Sequence, residues 1–567
     1  MKASDYIVEY LAGQGISDVF GYPGGMVIHL MDSFDKTKSD IRAHVNYHEQ
    51  ASAFAACGYA QVSMKPGMAY ATSGPGATNL ITGICNAYFD SVPVLFITGQ
   101  VNTNESKKGL LVRQKGFQET DIIAMIQEVT KYAAYVEKAE DLKYHLEKAI
   151  QLSLEGRPGP VLLDIPMNVQ RTEIDPDRLA GYEAPVQSVQ PIDVQPILGF
   201  LKQSKRPCIL IGSGIKTSGS VQEFRALAEN MGVPVVCSML SFDVMPYDSN
   251  LNFGFIGAYG NRHSNFILAK SDLVIALGSR LDVRQIGGKK EGFAPDARLI
   301  RVEIDPGELT NKVKEDEIQI VGNVKDIIRE FSARFATRND SFEAWLAVCS
   351  EIKTKLVNRD IKEPNLFVDK ISRCIPDHLV ITTDVGQNQV WIAQSFVNKN
   401  NQRVLFSGGH GAMGYSLPAA IGATYASKKT VICFTGDGGF QMNIQELQFI
   451  AREKLPIKIV VLNNSALGMI RHFQEMYLES NYTQTVPGKG YTTPDFGAVA
   501  KAYGLDYALI TDVDQVSPAL FEGMLPTVIE VKLQGDTYVF PKLEFGKPNQ
   551  DQEPLIDRSL YDYLMKI

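Results

Sequence analysis

Thr430-Val-Ile-Cys-Phe-Thr-Gly-Asp-Gly-Gly-Phe440, continued by Lys458-Ile-Val-Val-Leu-Asn-Asn464, decides how this chain is read. Val431, Ile432, Cys433 and Phe434 form a short apolar run that stops at Gly436, the pattern of a buried strand. Between Asn443 and Glu453 the apolar residues Ile444, Leu447, Phe449 and Ile450 recur at helical spacing. Ile457 to Leu462 is a second β-rich run, ending on Asn463-Asn464. The order is strand, glycine turn, helix, strand, as in a parallel sheet. The turn puts Asp437 at a strand's carboxyl end among Gly436, Gly438 and Gly439, whose bare backbone lets N–H groups approach an anion. Asn464 ends the next strand, so both side chains fall on the edge where open α/β sheets bind ligands. A carboxylate and an amide oxygen there suit a hard cation such as Mg²⁺, with diphosphate oxygens filling its other positions.

Gly-Asp-Gly alone is a common turn. With strands on both sides and Asn-Asn at this distance, it resembles the signature of thiamine-diphosphate (ThDP) enzymes, which implies ThDP and Mg²⁺ as cofactors. The N-terminal third carries a second match. A β-like run from Ile41 to Tyr47 leads into His48-Glu-Gln50, then Ala53-Phe-Ala-Ala-Cys-Gly-Tyr-Ala60, Thr72-Ser-Gly-Pro-Gly-Ala-Thr-Asn79, Asp90-Ser-Val-Pro93 and Thr98-Gly-Gln-Val101. An acid that opens a helix is usually there for the dipole. The whole run, however, closely resembles the pyrimidine-binding domain of the acetohydroxyacid (acetolactate) synthases. By that resemblance Glu49 hydrogen-bonds the cofactor's aminopyrimidine and relays the proton that activates it, work suited to a partly buried carboxyl.

The resemblance continues downstream. Asp384-Val-Gly-Gln-Asn-Gln-Val-Trp391 departs from the family's Asp-Val-Gly-Gln-His-Gln-Met-Trp at Asn388 and Val390, and implies that Val385, Gly386, Gln387 and Asn388 meet the diphosphate. In Ser407-Gly-Gly-His-Gly-Ala-Met-Gly414 it places Gly411 at the cofactor and Met413 beneath it, holding its bent form, although methionine mostly fills cores. In Asn464-Ser-Ala-Leu-Gly-Met-Ile470 the Ala466 carbonyl becomes a third protein ligand to Mg²⁺ beside Asp437 and Asn464, with Leu467, Gly468 and Met469 around the cofactor. Gly116-Phe-Gln-Glu-Thr-Asp121 puts Phe117 and Gln118 at the substrate. The turn after Asp18-Val-Phe brings Tyr22, Pro23 and Gly24 to the cofactor and Gly25 to the reacting centre.

A middle segment resembles the family's flavin domain. Gly278-Ser-Arg-Leu-Asp-Val-Arg-Gln-Ile-Gly287 matches the flavin-binding stretch and nominates Gly278, Ser279, Arg280, Asp282 and Arg284. Gly212, Ser213, Gly214, Gly257, Ala258, Tyr259, Glu303, Ile304 and Arg157 fall at the other matching places, while Asn323 departs from the family's Asp. Glycines permit close approach to a diphosphate and arginines pair with it. FAD, structural rather than redox-active, is the implied ligand; a vestigial domain with packing roles only is the alternative.

Two departures fall at the family's substrate channel. Met167 stands where the family has Lys, and Phe473 where it has Trp. Losing a cation and an indole points to a larger or less anionic acceptor. The expected chemistry is decarboxylation of pyruvate and transfer of the two-carbon unit to an acceptor carbonyl. That acceptor is a second 2-keto acid, or a keto-sugar nucleotide or other ketone. A simple 2-keto-acid decarboxylase and a catalytically silent ThDP-fold protein are the remaining alternatives.

Bulk properties agree. A chain of 567 residues makes about three or four domains. A net charge of −8 argues against a nucleic-acid surface, and no apolar run is long enough for a membrane span. Met1 to Glu9 carries acids where a secretory signal needs an apolar run, so a cytoplasmic protein is expected. Cys57, Cys85, Cys208, Cys237, Cys349, Cys374 and Cys433 are scattered and form no Cys-x-x-Cys pair, which suits a reducing compartment. Strand and helix patterns alternate in three doubly wound α/β units: 1–170 for the pyrimidine, 190–340 in the centre, and 365–567 for the diphosphate and Mg²⁺, with a tail. A proline-marked linker (Pro176, Pro185, Pro191) and a polar helical connector separate them. The resemblance implies a homodimer or homotetramer with the site between chains.

Overall fold

A computed structural model describes residues 1–185, 192–534 and 537–567; Pro191 and positions 186–190 of the expected linker lie outside the described residues. The apolar runs become three six-stranded parallel sheets. The first holds β1 (Asp18–Gly21), β2 (Arg42–Val45), β3 (Gly67–Ala71), β4 (Val94–Gln100), β5 (Tyr132–Tyr135) and β6 (Val161–Pro166), ordered β2-β1-β3-β4-β6-β5. The central sheet holds β7 (Pro207–Ile211), β8 (Val235–Cys237), β9 (Asn252–Phe255), β10 (Leu273–Leu277), β11 (Arg298–Glu303) and β12 (Ile318–Val321), ordered β12-β11-β10-β7-β8-β9. The third holds β13 (Val380–Thr383), β14 (Arg403–Leu405), β15 (Val431–Gly436), β16 (Ile457–Asn463), β17 (Asp506–Ile510) and β18 (Thr527–Lys532), ordered β14-β13-β15-β16-β18-β17.

The first and third sheets thus share one strand order, which reverses between β1 and β3 and between β13 and β15. The central sheet has the strand order of dinucleotide-binding folds, reversing between β7 and β10. At each reversal the loops leaving the strands part, and a crevice opens at their carboxyl ends.

One element differs locally from expectation. The Gly-Asp-Gly-Gly stretch is no free turn: a helix, Asp437–Met442, starts on Asp437 itself. It breaks at Asn443, whose Nδ2 donates to Gly414 O (2.8 Å) and Gln50 Oε1 (3.2 Å), and helix resumes at Leu447–Glu453.

The alanine- and glycine-rich stretch after Glu49 forms the Glu49–Ser63 helix, and its partner is the Ser416–Ser427 helix of the third unit. A Cβ on Gly58 would lie 2.2 Å from Ala419 O, and one on Gly422 1.8 Å from Ala55 O. Only glycine permits backbones this close, so the first and third units are fused across this crossing. The expected polar connector includes the Glu343–Leu356 helix, which buries Trp345, Cys349, Ile352 and Leu356 against the central sheet. The tail leaves the third unit for the central one. Leu543 N donates to Ala258 O (2.7 Å), Arg262 Nη1 to Gln552 O (2.8 Å), and Tyr561 of the Arg558–Lys566 helix packs edge-on against Phe266. No helix among the described residues is long and apolar enough to cross a membrane.

Candidate cofactor sites

β15 and β16 pair with Gly436 beside Leu462, so Asp437 and Asn464 leave neighbouring strand ends. Asp437 is 2 % exposed. Its Oδ2 accepts from Ala466 N (3.2 Å) and its Oδ1 from the Tyr491 hydroxyl (3.1 Å). Asn464 Nδ2 donates to Gln387 Oε1 (3.0 Å) and Thr537 Oγ1 (2.6 Å). That fixes the amide so that Oδ1 faces Ala466 N (3.3 Å) as well. Oxygens from two strands therefore converge on one backbone N–H, an all-oxygen arrangement that fits Mg²⁺. Burial pushes the Asp437 carboxyl up to about 6, and a divalent cation beside it would favour the ionised form.

Across the reversal, β13 ends on Thr383 and the chain turns at Gly386, whose φ of +128° excludes most side chains, into the Gln387–Ser395 helix. Asn388 stands between two turns: its Nδ2 donates to Val385 O (3.4 Å), and a Cβ on Gly436 would lie 3.5 Å from the same nitrogen. Its Oδ1 is buried without a hydrogen-bond partner. A Cβ on Gly411 would sit 4.0 Å from Val385 Cγ1. Met413 Cε and Leu467 Cδ2 crowd Gly438, at 3.1 and 2.8 Å from its would-be Cβ, and Gln387 Oε1 closes over Gly468. Met469 packs on the adjoining core. A helix N-terminus, an unspent polar edge and glycines open toward one crevice fit a diphosphate.

Asp384, the first residue of the Asp384–Trp391 motif, organises this crevice, a role the motif itself does not reveal. It is wholly buried; Oδ1 accepts from Val385 N and Gly414 N (both 2.9 Å), Oδ2 from Ser416 N (3.0 Å) and Ser416 Oγ (2.9 Å). One carboxylate thus ties the 385–388 loop to the 411–416 loop. Its place right after a buried strand was the available signal.

In the first unit Glu49 opens its helix behind an N-cap in which His48 Nδ1 accepts from Gln50 N (3.1 Å). The carboxyl is 9 % exposed, and Oε2 accepts from Asn79 Nδ2 (2.9 Å). A Cβ on Gly76 would approach Oε1 to 3.3 Å. Gly24 packs on Thr72, and Gln118, at φ +64°, packs on Gly74. A Cβ on Gly25 would meet nothing within 4 Å. Glu49, Gly24 and Gln118 therefore gather around the 72–76 loop with Gly25 beside open space, whereas Tyr22 and Phe117 are exposed, at 41 % and 79 %.

The two half-sites are locked together by bonds no sequence pattern announced. Glu446 accepts from Asn46 Nδ2 and Tyr47 N (both 2.8 Å), and burial raises it to about 7. Asp90 accepts from Gly408 N (3.1 Å) and Gly409 N (2.7 Å), and burial raises it to about 6. Yet among the described residues of one chain no hydrogen bond joins the Glu49 carboxyl to Asp437 or Asn464.

The reversal of the central sheet holds a cavity of about 380 Å³, within the usual range for small-molecule and cofactor sites. Arg157, Gly212, Ser213, Gly214, Tyr259, Gly278, Ser279, Arg280, Asp282, Arg284, Glu303 and Ile304 line it, together with Asn323. Gly257 and Ala258 do not: they support its wall, with Ala258 N donating to Arg284 O (2.8 Å). Gly212, Gly214 and Gly278 approach one another, since a Cβ on Gly212 would stand 2.0 Å from Gly278 O. Arg157 already pairs with Asp305 (3.2 Å) and Glu308. Glu303 Oε1 accepts from Ile304 N (2.9 Å) at the end of β11, and burial raises its pKa. A dinucleotide-type strand order, two glycine turns and an acid at a strand end fit FAD.

Met167 opens a short helix at the carboxyl end of β6, and Phe473 lies in the Gly468–Tyr477 helix that follows Ala466. Both are half-buried, and no hydrogen bond or ring contact joins them within one chain.

Comparison with known proteins covers nearly the whole chain. Family models of the thiamine pyrophosphate enzymes match three parts: the N-terminal TPP binding domain at 1–125, the central domain at 194–331 and the C-terminal TPP binding domain at 384–531. A probable acetolactate synthase large subunit of Methanocaldococcus jannaschii is 36% identical over 93% of this chain and 90% of its own. The acetolactate synthase large subunit of Corynebacterium glutamicum is 35% identical over 97% and 90%, and the isozyme 2 large subunit of Escherichia coli 33% identical over 97% and 99%.

Proposed function

The chain belongs to the thiamine pyrophosphate enzymes, and from that membership we propose that it is an acetolactate synthase-like carboligase. It decarboxylates pyruvate and transfers the two-carbon unit to an acceptor carbonyl; with pyruvate as acceptor, two pyruvates and a proton yield acetolactate and CO₂. The observation that carries the reading is the convergence of Asp437 Oδ2 and Asn464 Oδ1 on the Ala466 amide at the reversal of the third sheet.

ThDP, when bound, supplies the electron sink for loss of CO₂ from a 2-keto acid. The chain's own residues do the rest. Asp437, Asn464 and the Ala466 carbonyl would hold Mg²⁺, which would neutralise diphosphate charge. Gly386, Gln387, Asn388 and Gly411 bound the diphosphate crevice, and Met413 with Leu467 shapes its wall. Glu49, oriented by Asn79, holds and moves a proton at the pyrimidine. Gly25, Phe117 and Gln118 face the substrate. FAD, as a structural group in the central cavity, would be held by the glycine turns, Arg157, Arg280 and Glu303.

By the family resemblance the active unit is a homodimer or homotetramer, and the exposed Phe117 leaves room for cover by a second copy. Seven cysteines without a disulfide suit a cytoplasmic setting. Met167 and Phe473 support a second reading of the acceptor alone, in which a keto-sugar nucleotide or another ketone replaces the 2-keto acid. Mass spectrometry of products from ¹³C-pyruvate with ThDP and Mg²⁺, with and without such acceptors, tests both. Acetolactate or a cross-product with ¹³CO₂ is expected; absence of ¹³CO₂ would leave a silent ThDP-fold protein.

A further inference from the structure

Lys542 is a buried cation with nothing of opposite charge bonded to it. The side chain is 2 % exposed, and among the described residues it forms no ion pair. Its ammonium lies 4.0 Å from the centroid of the Phe473 ring and 5.7 Å from that of Tyr477. Among the described residues its one hydrogen bond, of 2.9 Å, goes to the Met476 thioether, a weak acceptor. An ammonium has three donors and is strongly hydrated in water. Two aromatic faces and a sulfur leave that demand largely unmet, and a buried cation is retained at such cost where an anion completes it.

Other titratable groups lie on the same two elements. Arg471, His472, Glu475 and Tyr477 come from the Gly468–Tyr477 helix, and Tyr538 and Glu544 from the tail. Arg471 donates to Thr537 O (2.9 Å) and lies over the Tyr538 ring (5.4 Å), with its Nε buried and unpartnered among the described residues. Glu475 is spent on the Tyr482 and Tyr538 hydroxyls (3.1 and 2.5 Å). His472 is held near 4 by burial first and by Lys542 next, so it is neutral at physiological pH. Glu544 acts on Lys542 only through space, and burial lowers the amine to about 8. Of the two cations without an ion pair among the described residues, Arg471 and Lys542, Lys542 is the one seated against the Phe473 ring.

We propose that Lys542 is a specificity-determining residue that receives the anionic group of the acceptor, a 2-keto acid's carboxylate or a phosphate of a phosphorylated ketone. The inference rests on the carboligase reading above and on Phe473 lying at the substrate channel. It also revises what Met167 alone implies: the charge missing from the end of β6 returns from the tail, more than five hundred residues from the chain start, and the acceptor is anionic after all.

The test uses the full-length enzyme with ThDP, Mg²⁺ and ¹³C-pyruvate, in competition between matched acceptors: 2-ketobutyrate against 2-butanone, and dihydroxyacetone phosphate against dihydroxyacetone. The pair that responds distinguishes carboxylate from phosphate. Lys542→Met should lower the anionic-to-neutral product ratio by about 30-fold or more, the loss typical when one partner of a buried charge pair is truncated. Lys542→Arg should keep the ratio within about 3-fold, since it retains the charge. Wild-type enzyme provides a readout that needs no variant: the ratio should be highest below pH 8 and fall above it as the amine loses its proton. Pyruvate turnover with ratios indifferent to Lys542→Met, or flat through pH 9.5, overturns the inference alone. Wild type that releases no ¹³CO₂ overturns the carboligase reading and the inference with it.

Discussion

Asp384→Asn is isosteric, and its cost can be worked from four hydrogen bonds. The carboxylate accepts from three backbone N–H groups and one hydroxyl. An amide has one accepting oxygen and one donating nitrogen. If the oxygen keeps Val385 N and Gly414 N, the NH₂ meets Ser416 N, while the Ser416 hydroxyl can rotate to accept. One buried N–H is then orphaned, at about 1–3 kcal/mol. The two bonds that remain lose charge assistance, about 1 kcal/mol more. The opposite flip orphans two N–H groups and is worse. Roughly 2–4 kcal/mol of loop order is removed from a site that ThDP binding must then restore, and 1.36 kcal/mol is tenfold in a constant. Titration calorimetry with saturating Mg²⁺ should therefore show ThDP affinity falling by about 30- to several-hundred-fold. An affinity within about threefold of wild type, in a variant with unchanged unfolding temperature, would refute the idea that Asp384 builds the diphosphate crevice.

Glu49→Gln should bind ThDP nearly as wild type while H/D exchange at the thiazolium C2 slows by about 10²- to 10⁴-fold, because an amide keeps a hydrogen bond but relays no proton; wild-type exchange would remove Glu49 from the chemistry. Gly422→Ala places a methyl 1.8 Å from Ala55 O, a backbone atom that cannot swing aside, so the helices must separate. Calorimetric unfolding should show a loss of at least about 1–3 kcal/mol, and an unshifted transition would contradict the close crossing. Asp437→Ala should abolish Mg²⁺-dependent ThDP binding, and unchanged affinity would count against it as a metal ligand. Mixed with Glu49→Gln subunits and reassembled, it should regain part of the activity; a fully active monomer in sedimentation would exclude a shared site.

The central strands were legible; of the edges only β2 was, within the run from Ile41 to Tyr47. Val431 to Phe434, Leu273 to Leu277 and Val94 to Thr98 are buried on both faces, so each is a continuous apolar run that only an interior parallel strand explains. β5, β9, β12, β14 and β17 lie at or near sheet edges, and the open faces of β5 and β12 dilute the pattern. β18 lies inside its sheet but carries Glu530, which reads as polar. Its carboxylate is buried only because Asn463 Nδ2 and the Tyr507 hydroxyl (both 2.6 Å) reach it from other strands.

The same contrast runs through the site. Glu49, Asp437, Gly386 and Asn464 were readable because their chemistry is local: each stands at a strand end or helix start, where glycine and capping preferences leave a mark within a few residues. Asp90 and Glu446 act on partners hundreds of positions away and Lys542 on a helix of another segment, and each looks ordinary in its own stretch. An unpaired buried lysine in a Pro-Lys-Leu tail becomes informative only when the fold sets it over Phe473. The cofactor half of such a site is thus written in short motifs, while the acceptor half is assembled from the Gly468–Tyr477 helix and a tail that packs on the central sheet. Substitutions in that tail can therefore redirect the acceptor without touching a residue that holds the cofactor.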